Sequence, residues 1–130
     1  MNNHQALNAY GQANAHSAIM DASPYKLIGL LFGNAQTRLR TAIGHVERGQ
    51  RAEAGQVIGK VIDIVSELQA CLDREKGYQV ADTLFNVYGY MNRRLIEANA
   101  KQDAAALEEV ARLLAEIKDG WDGIASQVEG

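Results

Sequence analysis

Among its 130 residues this sequence has a single cysteine, a single proline, a single tryptophan and only two phenylalanines. Without a second cysteine no intramolecular disulfide can form, and a reducing cytosol is the expected compartment. Cys71 stands among apolar residues at helical spacing and is expected to be a small buried hydrophobe. The lone Pro24 leaves the remainder of the chain without an obligatory helix breaker. No stretch approaches the roughly 20 apolar residues needed to span a bilayer, so membrane insertion is not expected. The N-terminus carries no basic region followed by an apolar run, the pattern of a secretory leader. Thirteen Lys and Arg are scattered against sixteen Asp and Glu, for a net charge of -3. With no basic block, neither nucleic acid nor an anionic membrane surface is an expected partner.

Groups able to do chemistry are equally sparse. His4, His16 and His45 share no metal-ligand spacing with one another or with Cys71. No histidine stands beside a serine or cysteine in a nucleophile arrangement, and no glycine-rich run builds a phosphate-binding loop. Glu108, Glu109 and Glu116 fall on the polar side of their helix, where solvated charge is the simplest reading. The sequence therefore points away from an enzyme and calls for no metal and no cofactor.

What it does have is Ala, Leu, Gln, Glu and Arg in quantity, with Val and Ile spaced by three and four rather than in alternation. Residues 1–22 are rich in Asn, Gln, Ala and His, with Leu7, Tyr10, Ile19 and Met20 thinly spread, and are expected to form a mobile N-terminal segment. Residues 23–125 are expected to form an all-α, antiparallel four-helix bundle. Ser23 and Pro24 suit the N-cap and first position of a helix reaching about Arg48, with Leu27, Leu31, Ala35, Leu39, Ala42, Ile43 and Val46 inward. Gly49-Gln50 ends it. A second helix spans about Ala52 to Leu72; its β-branched run from Val57 to Val65 would also suit a buried strand, but length and flanking helix formers favour helix. Asp73 to Gly77 connects to a third helix over Val80 to Ala100, and Asp103 is placed to cap a fourth that reaches about Ile124.

The third helix carries more apolar surface than one wet face allows. Val80, Leu84, Val87, Met91 and Leu95 form one line, with Ala81, Phe85 and Ile96 beside it and Tyr88 between. Together they cover roughly half the circumference, whereas a packed surface helix needs a stripe of only about 100°. The second helix is similarly wide, while Leu107 to Ile124 make a narrow stripe. Tyr90 points off the main stripe toward a partner, and Gly89 offers a place where another backbone could approach. The wide faces suggest that something besides the core covers part of them, in the manner of helix-in-groove recognition, with rows at Ile58, Val61, Ile62 and Val65 and at Leu84, Val87, Tyr88, Met91 and Leu95. Tyr88, Met91 and Leu95 are expected at the boundary between core and partner. A homodimer that buries these faces, or an adaptor that docks a regulator there, is the rival reading.

Several runs carry a family likeness. Ala9-Tyr10, Asp21-Ala22-Ser23-Pro24-Tyr25-Lys26-Leu27-Ile28, Leu31-Phe32-Gly33-Asn34-Ala35 and Leu72-Asp73-Arg74-Glu75-Lys76-Gly77 occur in order, followed by Val87-Tyr88-Gly89-Tyr90-Met91-Asn92-Arg93-Arg94-Leu95 and Asp119-Gly120-Trp121. Jointly they resemble the FliS-type flagellar export chaperones, over about residues 9 to 124. The resemblance implies a cytosolic bundle that binds the disordered C-terminal segment of flagellin, blocks its premature polymerisation and delivers it to the flagellar export apparatus by type III secretion. It also implies a client-binding role for Tyr10, to which Leu7 and Ile19 are added on physical grounds. An export-gate component or an anti-sigma factor is a further candidate partner, and the chain is expected to be a monomer or a weak homodimer. The sequence departs from the family where Gly77 is followed by Tyr78, and where Gly89 and Gly33 replace the usual aspartates.

Overall fold

Apolar residues at three- and four-residue spacing build four long helices, α1 (Pro24–Glu47), α2 (Arg51–Ala70), α3 (Gln79–Lys101) and α4 (Ala104–Glu129). The computed structural model describes residues 24–72 and 79–129, with side-chain surroundings defined over 26–72 and 79–123. The expectations for Leu7, Tyr10, Ile19, Ser23 and the 73–77 connection lie outside the described residues.

Two sharp chain reversals decide the geometry. At the end of α1, Gly49 takes φ +71°. Its N–H reaches the Val46 carbonyl at 3.1 Å, while the Gln50 N–H reaches the His45 carbonyl at 2.8 Å. That pair of bonds needs a left-handed residue in the middle, and glycine adopts it without strain. The end of α3 has a similar reversal with a less suitable residue, Gln102 at φ 53°. There the Asp103 N–H bonds the Ala98 carbonyl at 2.9 Å, and Gln102 offsets its strain by donating from Nε2 to the Asn99 carbonyl at 2.8 Å. Asp103 then serves a second time. Its Oδ1 accepts from the N–H groups of Ala105 at 3.0 Å and Ala106 at 3.3 Å, capping α4 as expected.

Such short reversals force neighbours in sequence to pack antiparallel. Cross-links between α2 and α3 follow the same sense: Arg51 at the start of α2 donates to the Ala100 carbonyl near the end of α3, and Gln69 at the far end donates to the Phe85 carbonyl. α4 closes the ring by packing on both α3 and α1. Every helix thus has two neighbours and also faces the centre. The centre holds Leu31, Phe32 and Leu39 of α1, Ile58, Val61, Ile64, Val65 and Leu68 of α2, Met91 and Leu95 of α3, and Leu107, Val110 and Leu114 of α4. No polar or charged residue is buried among the described residues.

Cys71 departs from its expected place. It is the C-cap of α2, its N–H bonded to the Glu67 carbonyl at 3.0 Å, and the residue is exposed because the helix ends there. The thiol is still sheltered enough that burial, followed by the nearby Glu67 carboxylate, pushes its pKa up.

Candidate functional site

The ring arrangement absorbs most of the apolar width that the sequence displays on α2 and α3. Ile58, Val61 and Val65 are fully buried, as are Met91 and Leu95, and Tyr88 is 3% exposed. Tyr88, Met91 and Leu95 are therefore core residues and do not mark a boundary with a partner. A helix that packs on two neighbours and on the bundle centre needs a wide apolar arc for the fold itself, which a stripe of about 100° underestimates. Burial, with Cys71 as a lesser cause, pushes the Tyr88 phenol up to about 12.

Ile62, Leu84 and Val87 are the members of the two rows that keep part of their surface, each half-buried against the core. Beyond them, Val80 at 63% and Ile96 at 59% stand exposed on α3. These two are sixteen residues apart and point about 160° away from each other around the helix, so they do not form one patch. Among the described residues no foreign backbone lies against Gly89. A Cβ there would meet only the side-chain ends of Arg93 and Gln69, each at 3.6 Å.

A concave surface lies on the flank of α3 that meets α4. A shallow depression of about 500 Å³ is lined by Thr83, Asn86, Val87 and Tyr90 of α3 and by Glu109 and Leu113 of α4. Val87 and Leu113, both half-buried, supply apolar surface. At one end Tyr90 donates its hydroxyl to Glu109 Oε2 at 2.7 Å. Arg94 donates from Nε to the other carboxylate oxygen of Glu109 at 2.7 Å, and from Nη1 to Glu97 Oε2 at 3.0 Å. The Tyr90 hydrogen bond, then that of Arg94, holds the Glu109 carboxyl below the usual carboxylate range. The same bond to Glu109 raises the Tyr90 phenol.

Sequence reasoning missed this network. Glu109 reads as one solvated acid among three, and its partners sit on another helix fifteen and nineteen residues back. The one available signal was Tyr90 standing off the apolar stripe. Among the described residues, no cluster of three or more His, Cys, Asp or Glu side chains is placed to hold a metal ion. No helix there is long and apolar enough to cross a membrane.

Comparison with known proteins gives the bundle its relatives. Residues 6–128 match the family model described as flagellar protein FliS. The flagellar secretion chaperone FliSB of Pseudomonas aeruginosa is 43% identical over 121 residues, covering 93% of this chain and 96% of the relative. The flagellar secretion chaperone FliS of Salmonella typhimurium is 42% identical over 120 residues, 92% of this chain and 89% of that one. The Escherichia coli protein of the same name is 34% identical over 114 residues, 87% and 84% of the two chains.

Proposed function

Because this chain belongs to the FliS family of flagellar proteins, we propose that it binds the C-terminal segment of flagellin in the bacterial cytosol, prevents its premature polymerisation and delivers it to the export apparatus. The relatives are named secretion chaperones, and a chaperone role in flagellar export, without enzymatic chemistry, is common to them. The observation that carries the finer reading is the half-buried apolar surface left on a bundle whose core is already complete. A disordered client loses about 2–5 kcal/mol to ordering when it folds on binding, and it must recover that over a long contact. Ile62 on α2 and Leu84 and Val87 on α3 offer half-buried apolar surface on which helical turns of such a client could rest. The deeper members of the rows, Ile58, Val61, Val65, Tyr88, Met91 and Leu95, support that surface from beneath. Tyr10, with Leu7 and Ile19, is proposed to contact the client from the N-terminal segment.

Titration calorimetry with a peptide of flagellin's C-terminal segment tests this. The unaltered chain should bind it. Val87→Asp and Tyr10→Ala should each weaken binding by about 1 kcal/mol or more, the latter with little change in melting temperature. Absence of binding by the unaltered chain sinks the proposal. A collapse of the fold in Val87→Asp would assign Val87 to the core, and the same outcome in Tyr10→Ala would make Tyr10 a core residue.

A further inference from the structure

The four seams of the ring are not fastened alike. Between α2 and α3 hydrogen bonds are spread along the contact. Arg51 donates to the Ala100 carbonyl at one end, Asn92 Nδ2 to Ser66 Oγ at 3.1 Å in the middle, and Gln69 to the Phe85 carbonyl at 2.9 Å at the other. The seam between α3 and α4 is the least extensive of the four among the described residues, and α4 packs more fully on α1. Part of its width is also unfilled, because it holds the depression of about 500 Å³. At one end of that depression two donors from α3 converge on one carboxylate of α4. Glu109 Oε2 accepts from the Tyr90 hydroxyl and Oε1 from Arg94 Nε, each at 2.7 Å, and Arg94 is steadied by Glu97 at 3.0 Å. The Arg94 and Glu109 side chains are 26% and 31% exposed, so these bonds cross the outside of the seam and not the core. Solvent-exposed bonds are individually weak, and a strap made of them can release while the packing beneath it persists.

We propose that the α3–α4 seam is the opening side of the ring and that Glu109 is its latch. With Tyr90 and Arg94 bonded to Glu109 the seam is shut. When the carboxylate lets both go, α3 stays tied to α2, α4 stays packed on α1, and the two part along the depression to admit solvent to the centre. The latch is a property of the free bundle and needs no occupant. All four helices remain formed in the open state, so opening exposes little new surface and depends only weakly on denaturant, unlike unfolding.

Native-state thiol labelling reads this opening. Val110 is fully buried on α4, next to the latch residue. Val110→Cys, placed in a Cys71→Ala chain, reacts with a thiol reagent only when solvent reaches the centre, and Leu114→Cys, equally buried, is a second reporter. Labelling should proceed at a rate that barely changes with urea well below the unfolding midpoint. Glu109→Ala should speed it about threefold and Tyr90→Phe about twofold, the range over which exposed bonds shift an opening equilibrium. Adding Tyr90→Phe to Glu109→Ala should speed it no further, since the shared acceptor is already gone. Gln69→Ala removes a bond that stays made in the open state and should leave the rate at low urea unchanged. Urea unfolding of each variant confirms that it is folded, and Tyr90→Phe, which keeps the ring, is the milder of the two latch variants. Labelling that appears only with the steep urea dependence of global unfolding overturns the opening. Unchanged rates in Glu109→Ala and Tyr90→Phe overturn the latch. Equal acceleration by Gln69→Ala shows a bundle that loosens everywhere, and it overturns the assignment of the opening to this seam.

Discussion

Tyr88 shows how much one side chain's setting can depend on the helices around it. Its sequence position is compatible with a partner-facing edge, yet the structure closes it into the core with its phenol raised from 10.0 to about 12, chiefly by burial. The raised value makes stability depend on pH in a definite direction. Below pH 10 the phenol is protonated in both folded and unfolded chains, and it contributes no pH dependence. Between about 10 and 12 the unfolded chain loses the proton while the folded one keeps it, so stability falls as pH rises. At pH 11 the loss assignable to this group is about 1.4 kcal/mol. Urea unfolding at pH 8 and pH 11 should show Tyr88→Phe losing less stability over that interval than the unaltered chain. Equal losses would show that the Tyr88 phenol titrates normally. Asp103 is the contrasting case. A small acidic residue before an Ala-rich run is a direct cap signal, and the two hydrogen bonds from Ala105 and Ala106 fulfil it.

At the scale of the element, α3 was legible in type and nearly in extent, since its apolar spacing admits no other periodicity. Which part of its apolar arc is consumed by the fold was not legible. That depends on how many helices pack against it, and the ring gives it two neighbours plus the centre. The edges that stay half-open, Leu84 and Val87, cannot be told from Met91 and Leu95 by hydrophobicity alone. The α3–α4 network was hidden for a similar reason, because Tyr90 and Glu109 meet only once two helices are placed side by side. Gly89 is a helix-interior glycine that the packing does not require. With its nearest foreign atoms at 3.6 Å from a built Cβ, Gly89→Ala should raise stability by about 1 kcal/mol in chemical denaturation. A loss of stability instead would reveal a close approach absent from this arrangement.

For the molecule as a whole, the bundle supplies a completed apolar core and leaves its remaining apolar surface in separate places. Val80 and Ile96 stand apart, while Val87, Tyr90 and Leu113 line the flank where α3 meets α4. That division suits a chaperone, which must stay folded without its client. The family assignment and the four-helix architecture were both readable in the sequence, because the matching runs are spread over nearly the whole chain. The most direct measurement of the central claim is seeded growth of flagellin filaments, followed by light scattering, with and without an equimolar amount of this protein. Flagellin held by its C-terminal segment should stop adding to filament ends, and growth should resume when excess C-terminal peptide displaces it. Filaments that lengthen at the same rate in the presence of the protein would contradict the account.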